Sequence, residues 1–183
     1  MALKKVLTIA GSDTSAGAGM QADLKTFQEL DTYGMVALAA IVTMDKETWS
    51  HDVTPIPFDV FNKQLETVIC IGPDAVKTGM LGTEEIIQRA GEAFTESGAK
   101  YFVVDPVMVC KGENEVLNPG NTEAMIQYLL PKATVTTPNL FEAGQLSGLG
   151  TLKSIEDMKK AAQIIYEQGA QHVVICLLYT SDA

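Results

Sequence analysis

Short apolar runs alternate with amphipathic stretches along the whole of this chain, and no other feature constrains its fold as strongly. Residues 6–10 (VLTIA), 35–43 (MVALAAIVT), 75–78 (AVKT), 101–105 (YFVVD), 133–137 (ATVTT) and 171–175 (QHVVI) read as buried strands. Between them, residues 22–30 place Leu24, Phe27 and Leu30 at helical spacing, and residues 57–69 place Val60, Leu65 and Val68 on one helix face. Residues 83–95, 121–130 and 154–168 continue the helical pattern. Thr83 is suited to cap the first of these, Pro131 to stop the second and Gly169 to end the third. Buried strands alternating with helices make βαβ units, hence an α/β fold with a mostly parallel sheet covered on both faces. No linker or repeat divides the chain, so residues 1–175 read as one domain.

A length of 183 residues suffices for a packed core, and 46% hydrophobic against 20% charged residues excludes disorder. The formal charge of -10 and the lack of any Lys/Arg cluster argue against a nucleic-acid partner. No run approaches the roughly 20 apolar residues of a membrane span, and the first apolar run is too short for a signal segment. A cytoplasmic protein without a membrane partner is expected. Cys70, Cys110 and Cys176 have no metal-ligand spacing, and the only histidines are His51 and His172, so a zinc site is not expected. Cys70, at the end of an apolar helix, is expected in or near the core.

In such sheets ligands bind beyond the carboxyl ends of the strands. A loop of small residues, 11–19, follows the first strand; Met80, Asp105 and Val107 lie after the third and fourth; Asn139 and Glu142 follow the fifth. Asn139 and Glu142 have the spacing of a capping box, and Asp105 precedes a proline at a turn; each has a sufficient structural explanation taken alone. Together, carboxylates at two strand ends facing a glycine-rich loop point to a magnesium–phosphate site. An alternative is a nicotinamide-dependent oxidoreductase, since Gly17, Gly19 and Ala22 match a dinucleotide fingerprint and Asp45 ends the next strand, although six residues separate the fingerprint from its strand. A binding fragment without catalysis is a further alternative.

The segments GSDTSAGAGMQADLKT (11–26), KTGML (77–81), VVDPVM (103–108) and TPNLFEA (137–143), in this order from Lys5 to about Ile175, resemble the ribokinase-like vitamin kinases. These are the hydroxymethylpyrimidine/phosphomethylpyrimidine kinases and the related pyridoxal kinases. The resemblance implies a three-layer α/β/α domain, a homodimer, and Mg2+-dependent transfer of the ATP γ-phosphate to a hydroxymethyl group on an aromatic nitrogen ring. It implies that Gly11, the loop behind it and Asp23 line the vitamin pocket, with Met80 and Val107 against the ring. Asn139 would approach the ATP phosphates, Glu142 would hold Mg2+, and Asp105 would stand beside both. Pyrimidine kinases carry a glutamine that reads the pyrimidine edge where this chain has Met44, which favours pyridoxal or pyridoxine over hydroxymethylpyrimidine as substrate. Cys110 resembles the flap cysteine of a pyridoxal-kinase subgroup, implying reversible addition of the thiol to the pyridoxal aldehyde. His51 is expected to reach the same pocket. In the family a Lys-Gly-Gly turn and then a glycine-rich motif follow the sixth strand, and that motif supplies the anion hole and the general base. Here Ile175 is followed by CLLYTSDA, so residues 176–183 are expected to be an atypical tail, from truncation or a frame shift, with the C-terminal part of the fold and the base missing.

Overall fold

The computed structural model describes residues 3–108 and 119–176. Chain order runs β1 (Lys5–Asp13), α1 (Gly19–Glu29), β2 (Tyr33–Met44), β3 (His51–Pro55), α2 (Phe58–Ile71), β4 (Ala75–Thr78), α3 (Glu84–Ser97), β5 (Tyr101–Val104), α4 (Pro119–Ala124), β6 (Val135–Thr136), α5 (Leu140–Ser147) and α6 (Ile155–Glu167). One sheet has the order β3-β2-β1-β4-β5-β6. Every pairing is parallel except β2 with β3. The expected α/β fold with a mostly parallel sheet is therefore present.

Strand parity divides the two faces. Leu7 and Ile9 of β1, Val76 of β4 and Val104 of β5 are buried in one cluster with Phe61 and Leu65 of α2 and Ile86 and Ile87 of α3. Thr8 and Lys77, paired with each other in register, point to the opposite face, which α1 covers over β1 and β2. Gly34 allows α1 its close approach, because a Cβ there would lie 2.7 Å from Leu24 and 3.1 Å from Phe27.

Several local expectations are corrected. Phe61, Leu65 and Val68 form the buried stripe of α2, at i, i+4 and i+7, and Val60 lies off it and is exposed. Leu30 caps the end of α1 in solvent. Cys70 is exposed rather than in the core: it lies in the last turn of α2, away from that stripe, and its thiol donates to the Thr67 carbonyl at 2.9 Å. Pro131 does not stop a plain α-helix, because α4 passes into a π-helical turn, Met125–Leu129, and then a 3-10 turn, Leu130–Lys132, that contains the proline. Residues 171–176 meet the sheet only through two bridges, Thr136 with Val173 and Asn139 with Cys176, not as a regular sixth parallel strand. His51 opens the antiparallel edge strand β3 and is register partner of Met44.

Candidate active site at the carboxyl edge of the sheet

The first strand leads into a turn that folds back on itself. Gly19 has φ +60°, and a Cβ there would lie 2.6 Å from the Gly11 carbonyl oxygen, so the start of α1 is pinned against the end of β1. Asp13 closes the turn by accepting from the Ser15 N–H and hydroxyl and from the Ala18 N–H, each at 2.8 Å. Partial burial opposes its ionisation, but these hydrogen bonds outweigh it and hold the carboxyl below the usual range.

Gly11 itself is buried, and a Cβ there would sit in ordinary contact with the Ala40 carbonyl oxygen at 3.4 Å, Met80 at 3.7 Å and Val42 at 3.8 Å. Met44 and His51, both half-buried, lie side by side at the end of β2 and the start of β3. The structure thus brings Gly11 and Met80 together and places the Met44–His51 pair farther along the strand that carries Val42. Val107, half-buried, follows β5, and its N–H donates to the Asp105 carbonyl. Cys110 lies outside the described residues.

On the α1 face, three charged residues meet. Lys77 lies 3.0 and 3.1 Å from the two Asp23 carboxylate oxygens and 3.8 Å from Asp105. Thr8 donates to Asp23 at 2.6 Å. The carboxylate of Asp23, expected to line the vitamin pocket, is therefore held by Thr8 and Lys77. Gly79 makes space for the ammonium, since a Cβ there would stand 3.1 Å from Lys77 Nζ.

At the end of β6, Pro138 bends the chain and Asn139 caps α5 in a complete capping box. The Asn139 side chain accepts from the Glu142 N–H, and Glu142 accepts from the Asn139 N–H, both at 2.9 Å. Glu142 is only 4% exposed. Burial pushes its carboxyl up to about 7; the Asn139 and Met108 N–H groups pull it down and the nearby Asp105 charge pushes it up. Asp105 is likewise raised by burial, pulled back by Lys77 and raised again by Asp23. These two carboxylates feel each other, and the Cys176 thiol beside them is raised by burial and then by both charges.

Such a pair suits Mg2+, which takes one or two carboxylates and completes its shell with phosphate oxygens and water. Among the described residues no three His, Cys, Asp or Glu side chains form a metal cage of their own, so phosphate and water would supply most of that shell. Asp45 is committed elsewhere: its carboxylate accepts from Glu47 and Thr48 within its own turn, at 2.8–3.0 Å. Lys77 is the residue of this charged cluster that sequence reading did not single out. A lysine in a four-residue strand between buried Val76 and Thr78 was the available signal.

Comparison with known proteins finds close relatives in sequence and in fold. The chain is 56% identical over 177 residues to the pyridoxine kinase of Bacillus subtilis, covering 96% of this chain and 65% of that one. The pyridoxal kinase from Staphylococcus aureus in complex with pyridoxal superposes with a TM-score of 0.92 at 83% identity, covering 96% of this chain and 65% of that chain. The same kinase in complex with AMP-PCP gives 0.91 at 83% identity, and there the chain spans 63% of the relative's length. No helix among the described residues is long and apolar enough to cross a membrane. The family model for phosphomethylpyrimidine kinase matches residues 13–177, and the chain belongs to that family.

Proposed function

We propose that this chain carries the vitamin- and phosphate-binding part of an ATP-dependent kinase that phosphorylates the 5′-hydroxymethyl group of pyridoxal or pyridoxine. The observation that carries the proposal is the likeness, at 83% identity, to a pyridoxal kinase solved with pyridoxal and with AMP-PCP. The ring lies against Gly11 and Met80, with Val107 and the Met44–His51 pair around it. Met44 offers apolar contact where an amide would offer hydrogen bonds, so an aromatic vitamin without a matching pyrimidine edge is accepted. The nucleotide phosphates approach Asn139 at the N-terminus of α5, where free N–H groups and the helix dipole favour anions.

Glu142 and Asp105 would hold Mg2+, which when bound neutralises phosphate charge. Phosphoryl transfer depends mainly on positioning and electrostatic stabilisation. The residues here supply the positioning: the capping box fixes Glu142, and Lys77 faces Asp105. The base that takes the hydroxymethyl proton belongs, on the family pattern, to a glycine-rich segment not found in these 183 residues. Cys110 adds a test of its own, because a thiol adduct forms with the aldehyde of pyridoxal and not with pyridoxine; Cys110→Ala then alters handling of pyridoxal alone. A homodimer and a cytoplasmic location complete the proposal.

The test is a phosphoryl-transfer assay with Mg·ATP, offering pyridoxal, pyridoxine and hydroxymethylpyrimidine separately. Formation of pyridoxal 5′-phosphate or its pyridoxine counterpart supports the reading. Faster phosphorylation of hydroxymethylpyrimidine supports the family's thiamine-pathway activity in its place.

A further inference from the structure

Lys77 is a charged side chain on a central strand, and its surroundings are built to hold it at a set distance from Asp105. Asp23 takes the ammonium at 3.0 and 3.1 Å, Thr8 fixes Asp23 by a 2.6 Å hydrogen bond, and Gly79 leaves the space the ammonium needs. Asp105 remains at 3.8 Å, beyond hydrogen-bond distance. The lysine is thus anchored by one carboxylate and faces a second without closing on it.

We infer that Lys77 is a positioning residue: it orients the Asp105 carboxylate for the nucleotide-bound cation, and the Thr8–Asp23 pair keeps the ammonium from collapsing onto Asp105 and competing with that cation. The inference rests on the proposed placement of Mg2+ and ATP phosphates at Asp105 and Glu142. Two charge effects follow from the geometry. Without Lys77, Asp23 and Asp105 face each other as like charges and Asp105 loses its orienting partner. Without the Asp23 charge, Lys77 has Asp105 as its nearest carboxylate and forms a direct pair with it. Both changes disable the same carboxylate by opposite routes. A lysine serving only to neutralise buried charge would show the first effect and not the second.

The experiment measures binding of Mg·AMP-PCP and, separately, of pyridoxal to the 183-residue chain and to Lys77→Met, Lys77→Arg and Asp23→Asn, with a thermal melt of each to confirm folding. In Lys77→Met and Asp23→Asn, the loss of Mg·AMP-PCP affinity should exceed the loss of pyridoxal affinity by about tenfold or more, the scale of removing one member of a partly buried charge pair. Lys77→Arg should fail to restore the nucleotide affinity although it keeps the positive charge, because its longer guanidinium fork reaches both carboxylates and closes on Asp105. Equal losses for both ligands, or Asp23→Asn binding Mg·AMP-PCP as the parent does, would overturn the inference. Failure of the parent chain itself to bind Mg·AMP-PCP would strike at the proposed function, and so is distinct from either result.

Discussion

Replacing Glu142 with Gln isolates the cost of a buried carboxylate at the proposed metal site. Glutamine keeps the shape, and its carbonyl oxygen can still accept from the Asn139 N–H, so the capping box survives. In the parent the carboxyl is lifted from its ordinary 4.5 to about 7. At about 1.4 kcal/mol per pH unit, that rise amounts to about 3 kcal/mol. The sign follows from proton counting. Between the two values the folded state holds a proton that the unfolded state has released, so stability falls as pH rises through this window and levels off above pH 7. Asp105, raised in the same sense, adds to the slope, whereas Asp13, Asp45, Asp74 and Asp157 are lowered and act below the ordinary carboxyl range. Urea unfolding at a series of pH values from about 5 to 8 measures the difference between parent and variant. Glu142→Gln should lose most of the fall and be the more stable protein at pH 8. Added Mg2+ should stabilise the parent more at pH 8 than at pH 5.5, because proton and cation compete for one carboxylate, and should do little for the variant. Parallel pH profiles for the two chains would refute the reasoning.

Other outcomes follow from particular contacts. Asn139→Ala removes the side-chain cap of α5 and should cost about 1 kcal/mol in unfolding free energy. Gly144→Ala would drive a Cβ into the Gly150 carbonyl oxygen, backbone that cannot swing aside, and should cost about 1–3 kcal/mol, read as a lowered melting temperature. The exposed Cys70 thiol should react quickly with a disulfide reagent in the native chain, and Cys70→Ser should remove that fast phase; an unchanged rate would place Cys70 in the interior after all.

The central parallel strands were legible because sheets covered on both faces need continuous apolar runs, and residues 35–43 and 101–104 supply them. The helix end at Thr83 was legible because its side chain caps, and the structure shows it accepting the Ile86 N–H; Ser154, which the sequence reading includes in the helix 154–168, is the N-cap of α6 and accepts the Asp157 N–H. β3 escaped because an edge strand of five residues, HDVTP, carries neither an apolar run nor clean alternation. The π-helical turn at Met125–Leu129 escaped because its apolar spacing is that of an ordinary helix. At the site, the Asn139–Glu142 pair could be read from local spacing. The role of Lys77 could not: it arises where β1, α1, β4 and the segment after β5 bring Thr8, Asp23 and Asp105 around one ammonium, contacts up to 54 residues apart in sequence for Asp23 and Lys77.

The most direct test of the pyridoxal-kinase reading is a competition measurement, with pyridoxal and hydroxymethylpyrimidine titrated against the chain and against Met44→Gln. Pyridoxal should bind the parent at least about tenfold more tightly, and the glutamine should narrow that gap by restoring hydrogen bonds to the pyrimidine edge. Tighter binding of hydroxymethylpyrimidine by the parent, or a gap that Met44→Gln leaves unchanged, would contradict it.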